Sequence, residues 1–235
     1  MNIGIILAGG TGSRMGSDIP KQFIDIYGKP LIIHTLESFD MNLNIDYIVV
    51  VCKKDWKEDL EIWLRKFGIN KVKWIVDGGE TRQASIYNAL KTIEDFCKED
   101  AIVVIHDAAR PLISQRIIDE NINGAKKFGA VDTVIPTADT IINSKDDKTI
   151  NNVPIRKELY LGQTPQSFKF DKVLKAHEKA IENGKIDATD DCQLLLDLNE
   201  KVYLVNGDKL NFKITTFEDL MLLKAIIKLG KVERI

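Results

Sequence analysis

Five predominantly apolar runs of strand length recur along the chain: Ile3–Ala8, Tyr47–Val51, Val72–Val76, Ile102–Ile105 and Val131–Ile135. Amphipathic stretches of helical length lie between them. Trp56, Leu60, Trp63, Leu64 and Phe67 share one helical face. Ile86, Leu90, Ile93 and Cys97 do the same after Thr81, and Ile117, Ile118 and Ile122 after Ser114. Strands with no polar alternation are buried on both faces. Such strands alternating with helices form parallel sheets, because the crossover helices cover both sides. The expected fold is therefore α/β: a Rossmann-like, mostly parallel sheet flanked by helices.

The pattern changes after Pro136. Thr137–Val153 is polar, with a "SKDDK" turn between two β-rich segments, Asp139–Asn143 and Thr149–Val153. This reads as a hairpin or arm projecting from the sheet, over about residues 137–160. Helices are expected at Asp171–Asn183 and Asp190–Leu198, and short strands at Val202–Val205 and Asn211–Ile214. A closing helix follows at Thr216–Leu229, with Thr216 as N-cap. With no repeat, low-complexity tract or Pro/Gly linker, residues 1–235 read as a single domain carrying an arm.

Composition excludes several classes. A net charge of −2 supplies no global basic field, which argues against non-specific nucleic-acid binding. The three cysteines are scattered and lack CxxC spacing, so neither a zinc site nor a disulfide framework is expected. No apolar run approaches the ~20 residues that span a bilayer, so no membrane insertion is expected. The first strand begins within two residues of Met1, leaving no room for a signal peptide; a cytoplasmic location is expected.

The segment "ILAGGTGSRMGSDIPKQF", Ile6–Phe23, follows the first strand directly. In open α/β sheets ligands bind at this strand edge. Glycines there let backbone N–H groups approach an anion. The P-loop pattern GxxxxGK[ST] is absent, since Lys21 sits between Pro20 and Gln22. The dinucleotide pattern GxGxxG also fails, because Pro20 and its predecessors interrupt the helix it requires. A triphosphate held by backbone and by the side chains of Arg14 and Lys21 remains, against a glycine-rich turn with two solvated charges.

"LAGGTGSRMG" with "PKQF" resembles the signature of cytidylyltransferases acting on alditol phosphates. That family has a methylerythritol-phosphate branch and a ribitol-phosphate branch. The similarity continues in order through "DGGETRQASI", "HDAARP", "VDTV" with Asp139–Thr140, "GQTPQSF", "TDD" and "NFKITT". It implies transfer of CMP from CTP to an alditol phosphate. Arg14, Lys21, Lys213 and Arg156 would be catalytic. Leu7, Ala8, Gly9, Gly10, Gly12, Gly78, Gly79, Arg82 and Ser85 would bind the nucleotide. Arg110, Thr140, Arg156, Thr189 and Lys213 would meet the alditol phosphate, with Asp190 at its hydroxyls. Asp107, ending the strand "AIVVIHD", would hold Mg²⁺ against the triphosphate; the other reading is an Asp capping the next turn. The family further implies a homodimer in which the arm reaches the neighbouring site. "LAGG", "GAVDTV" and "YLGQTPQ" look like the ribitol branch, whereas "HDAARP" and "TDD" pull toward the other. A UTP- or GTP-dependent pyrophosphorylase, and a non-catalytic nucleotide-binding or assembly protein, are the alternatives.

Overall fold

The structure, a computed structural model, describes residues 1–10, 19–98 and 100–230. Seven strands form the central sheet: β1 (Asn2–Ala8), β4 (Tyr47–Cys52), β5 (Val72–Asp77), β6 (Ile102–Asp107), β7 (Ala130–Pro136), β8 (Tyr160–Lys169) and β9 (Tyr203–Asn206). Their spatial order is β5-β4-β1-β6-β8-β7-β9. The pairs β1–β4, β1–β6, β4–β5 and β7–β9 are parallel, and β8 runs antiparallel to both its neighbours. A separate two-stranded ribbon joins β2 (Asp25–Ile26) to β3 (Lys29–Pro30).

Period-two alternation sends each strand's apolar residues to two cores. Ile6, Ala8, Ile48, Val50, Ile102 and Val104 face one of them. Helices α1 (Leu31–Met41), α2 (Lys57–Phe67) and α4 (Gln115–Phe128) close it. Ile3, Ile5, Val49, Val51, Val103 and Ile105 face the other, under α3 (Arg82–Ile93), α5 (Phe170–Glu182) and α6 (Asp191–Leu196). Helix α7 (Phe217–Lys228) covers a smaller cluster around Ile26, Leu31 and Ile214. Gly4 belongs to this packing: a Cβ there would lie 2.8 Å from the Phe39 ring, so only glycine lets α1 sit flat on β1. Thr81, Ser114 and Thr216 cap α3, α4 and α7, and Thr216 with Asp219 completes a capping box.

Four features depart from the sequence reading. The "GQTPQSF" block lies inside a ten-residue strand, β8, that periodicity did not reveal. Pro165 has no N–H to give a ladder, and the β7–β8 register shifts between Asp132 and Val134, where a bulge absorbs it. Asn211–Ile214 is not a strand. Its polar groups are spent elsewhere: Asn211 donates from Nδ2 to Gln163 Oε1 (3.1 Å) and to the Thr164 carbonyl (2.8 Å), and the Ile214 N–H reaches the Ala109 carbonyl (2.8 Å). The arm is less regular than a hairpin, with one isolated bridge, Asn143–Asn152, in place of two strands. Its turn is organised by Asp146, which accepts from the backbone N–H groups of Lys148 and Thr149 and from two hydroxyls. Helix α1 has no counterpart in the sequence reading, although Ile32, Leu36 and Phe39 stand at helical spacing and are buried.

Candidate active site

Strand register brings the site's main chain together. Ala8 pairs with Cys52, Leu7 with Asp107, and Cys52 with Asp77, so these residues form one row at the carboxyl edge of the parallel strands. A cleft of about 430 Å³ opens over that row. Leu7, Gly9, Gly10, Lys21, Gly79, Arg82, Ser85, Asp107 and Lys213 line it, with Gln22, Glu80, Thr81, Ala109 and Thr215. Most of the residues expected to bind nucleotide therefore converge. Ala8 is buried beneath the wall, and Gly78 lies behind Ser85, with space for a Cβ only 3.4 Å from its Oγ. Arg14 and Gly12 lie outside the described residues.

At one end the wall is bare backbone. The Gly79 N–H donates to Ser85 Oγ at 3.0 Å, folding the β5–α3 turn onto the helix it precedes. A Cβ at Gly79 would stand 2.5 Å from that of Ala84, so the turn closes only with glycine. Gln22, which sequence reasoning passed over, fixes the opposite lip. Its Nε2 donates to the carbonyls of Ala8 (2.5 Å) and Gly10 (2.8 Å), stapling the short helix Lys21–Phe23 to the end of β1. Phe23 anchors the staple from below, stacked on Trp56 at 4.6 Å. Lys21 is thus placed at the cleft by its two successors. The available signal was the polar residue between a cation and a buried aromatic.

The far end is ionic. Lys213 Nζ lies 2.8 Å from Asp107 Oδ2, and Arg110 Nε lies 3.7 Å from the same oxygen. Burial pushes the Asp107 carboxyl up, but the opposing fields of Lys213, Arg82 and Arg110 prevail and hold it at about 2. The loop carrying Lys213 is strapped to the β6–α4 turn through Arg110, which donates to the Asn211 carbonyl at 2.8 Å. His106 beneath is wholly buried, and burial pushes it down to about 4. Its Nε2 faces the Arg110 carbonyl (3.1 Å), which can only accept, so Nδ1 takes the Thr164 hydroxyl hydrogen (3.0 Å). Thr164 Oγ1 in turn accepts from the Asp107 N–H at 3.1 Å. His106 therefore braces the Asp107 turn.

Behind Arg82 and Arg110 runs a polar layer. Gln166 Nε2 donates to Asp132 (3.1 Å) and Asp190 (2.9 Å). Burial raises the Asp132 carboxyl to about 7, partly offset by the Gln166 hydrogen bond and reinforced by the charge of Asp190. Thr140, Arg156 and Thr189 are exposed and outside the cleft, and Arg156 donates to the Ala138 carbonyl at 3.3 Å. Thr140 and Arg156 are not brought to the other site residues, and Thr189 reaches them only as the neighbour of Asp190.

Among the described residues no group of three or more His, Cys, Asp or Glu gathers as a metal cage. Mg²⁺ commonly uses one or two carboxylates and takes its remaining ligands from phosphates and water. Asp107, a hard oxygen donor on the cleft wall, fits that limited role. Among the described residues no helix is long and apolar enough to cross a membrane.

The chain is 41% identical over 226 residues to the ribitol-5-phosphate cytidylyltransferase of Lacticaseibacillus paracasei, covering 95% of this chain and 97% of that protein. It is 43% identical over 228 residues to the ribitol-5-phosphate cytidylyltransferase of Vibrio parahaemolyticus, covering 97% and 96%. Among solved structures it is similar to the 4-diphosphocytidyl-2C-methyl-D-erythritol synthase of Anaerococcus prevotii, with a TM-score of 0.83, 31% identity and coverage of 97% and 96%. The Francisella tularensis 2-C-methyl-D-erythritol 4-phosphate cytidylyltransferase gives 0.81, 30%, 95% and 98%. The family described as IspD, 2-C-methyl-D-erythritol 4-phosphate cytidylyltransferase, matches residues 3–229 and so takes in every described wall of the cleft. The chain belongs to the IspD family of cytidylyltransferases.

Proposed function

We propose that this protein transfers CMP from CTP to D-ribitol 5-phosphate, giving CDP-ribitol and pyrophosphate. The observation that carries the reading is a cleft lined by Lys21, Arg82, Asp107 and Lys213 in a chain 41–43% identical to two ribitol-5-phosphate cytidylyltransferases. An oxygen of the alditol phosphate attacks the α-phosphorus of CTP. A new P–O bond forms as the bond to the β-phosphate oxygen breaks, and pyrophosphate leaves with that electron pair. The nucleophile is a phosphate monoester with a second pKa of about 6, so it is largely a dianion at neutral pH and no side chain has to deprotonate it.

The work left to the protein is electrostatic. Two polyanions must meet, and charge on the equatorial oxygens must be held as the leaving group departs. Lys21 and Arg14 supply that charge from the loop after β1, and Lys213 supplies it from the opposite wall. The bare backbone of Gly9 and Gly79 beside Ser85 receives the cytosine, with Gly78 giving Ser85 room from behind. Asp107 would hold Mg²⁺, which when bound would offset charge on the triphosphate. Arg110 contacts the alditol phosphate.

Thr140 and Arg156 stand outside their own cleft, on an arm whose Ile141, Ile142, Ile150, Val153 and Ile155 are exposed. Apolar side chains displayed this way suit a second copy, so the working form is a homodimer in which Arg156 and Thr140 serve the partner's site. Beyond Arg110 lie Asp132, Gln166 and Asp190, and Thr189 adjoins Asp190. These groups exchange hydrogen bonds with hydroxyls, which suits a linear polyol.

The test is pyrophosphate release from CTP, UTP and GTP with a panel of alditol phosphates, with and without chelator. The reading expects release with CTP and ribitol 5-phosphate, abolished by chelator. Preference for UTP or GTP, or no release with any pair, refutes it; full activity in excess chelator removes the Mg²⁺ assignment.

A further inference from the structure

Arg82 occupies a position that its own helix does not favour, and Asp191, whose charge suits a helix start, is buried there against it. Arg82 is the first residue of α3, where the helix dipole disfavours a cation, and the cap is already supplied by Thr81 accepting from the Ala84 N–H at 3.1 Å. Asp191 is the first residue of α6, whose cap is Asp190, accepting from the Cys192 N–H at 2.8 Å. The Asp191 carboxylate is therefore not needed to cap the helix, yet it is 1% exposed, and a buried carboxylate loses its hydration and has to be offset by partners.

The carboxylate's two oxygens are divided between two partners. Oδ2 lies 2.7 Å from Arg82 NH1, and Oδ1 lies 3.0 Å from Nε2 of the fully buried His177. A carboxylate only accepts, so His177 presents Nε2–H to it, and its Nδ1 has no partner in the core. The His177 ring lies nearly parallel to Tyr87 (6.3 Å, 14°). Arg82 NH2 also approaches Gln166 Oε1 at 3.5 Å. One edge of the guanidinium is thus gripped from behind while the side chain forms part of the cleft wall.

We infer that Asp191 is a positioning residue for the transfer reaction: it aims Arg82 at the phosphates of the bound nucleotide, and His177 fixes Asp191 in turn. The inference rests on CTP being the nucleotide at this cleft. A rigid fork held at the right angle loses less entropy on binding phosphate than a free arginine, so the effect belongs to nucleotide binding and to kcat/KM for CTP.

A double-mutant cycle on the full-length protein separates this role from a merely structural one. Asp191→Asn keeps shape and should lower kcat/KM for CTP about tenfold, while calorimetric titration shows weaker CTP binding. In an Arg82→Ala background the same substitution should change either quantity less than about twofold, because there is nothing left to aim. His177→Phe keeps the ring and its stacking but removes the donor; it should cost about threefold, again only when Arg82 is present. Circular dichroism and melting establish that each variant is folded, and His177→Phe carries the cycle if Asp191→Asn is not. Equal losses with and without Arg82, or no loss in either folded variant, overturn the inference. A wild-type protein that releases no pyrophosphate from CTP strikes the proposed function instead.

Discussion

Lys21, proposed as a catalytic charge, is placed by its neighbours in sequence. Its backbone is fixed by Gln22 on the carbonyls of Ala8 and Gly10 and by Phe23 under Trp56, so the ammonium is delivered to the cleft wall. Stabilisation offered mainly to the transition state predicts a loss in kcat. Lys21→Ala and Arg14→Ala should each lower kcat at least ~10²-fold while CTP affinity falls less; near-normal turnover in both would remove them from the mechanism. Asp132 gives a different kind of test. Its folded carboxyl holds a proton up to about 7, mainly because it is buried, whereas the unfolded chain releases it near ~3.9. Between those values the folded state binds more protons, so stability falls as pH rises, and the whole penalty is in place above pH ~7. Asp132→Asn should therefore be more stable than the parent in urea unfolding at pH 8, with the gap closing toward pH 4. A gap that does not change with pH, or has the opposite sign at pH 8, contradicts the burial.

At the level of elements, what could be read in the sequence followed from what each segment buries. β1, β4 and β6 face apolar helices on both sides, so they announce themselves as aliphatic runs. The same holds for the apolar faces of α2, α3 and α4. β8 also lies in the middle of the sheet, yet half its length is polar: Thr164 and Gln166 brace the region behind the cleft, Gln163 ties down the Asp208–Asn211 loop and Ser167 bonds to Asn121 of α4. These polar duties hide its periodicity, and the segment was recognisable only as a motif. The loop around Lys213 misled in the opposite sense: Phe212 and Ile214 look strand-like, but they pack on the α7 cluster and the backbone bonds to the β6–α4 turn. The arm could be located but not its use: the Asn143–Asn152 bridge and the Arg156–Ala138 hydrogen bond tie it to itself, and its isoleucines are exposed. If Arg156 acts in the partner's site, mixing inactive Lys21→Ala with inactive Arg156→Ala protein should restore part of the activity. Each heterodimer would then hold one site with both groups intact. Proven subunit exchange without recovery would place Arg156 in its own site or in none.

Taken as a whole molecule, the chain shares its architecture with methylerythritol-phosphate enzymes and a closer sequence with ribitol-phosphate enzymes, at 30–31% against 41–43% identity. A fold common to both cannot choose between the substrates; the choice falls to the groups that meet the alditol. The two differ in chemistry that these groups can read. Ribitol 5-phosphate offers a hydroxyl on every carbon not carrying phosphate, whereas methylerythritol 4-phosphate carries an apolar methyl branch. An apolar pocket for one methyl would provide only about 1–3 kcal/mol of discrimination, while buried polar groups left without a hydroxyl partner can cost far more. Asp132 and Asp190 are the carboxylates proposed to meet those hydroxyls; the buried Gln166 amide joins them to each other and approaches Arg82 of the cleft wall. Ribitol 5-phosphate should accordingly show the higher kcat/KM, and Gln166→Leu, which removes the amide joining the two carboxylates, should narrow its advantage over methylerythritol 4-phosphate. A kcat/KM for methylerythritol 4-phosphate about tenfold above that for ribitol 5-phosphate, roughly 1.4 kcal/mol of transition-state preference, would reverse the substrate assignment and leave the chemistry of cytidylyl transfer intact.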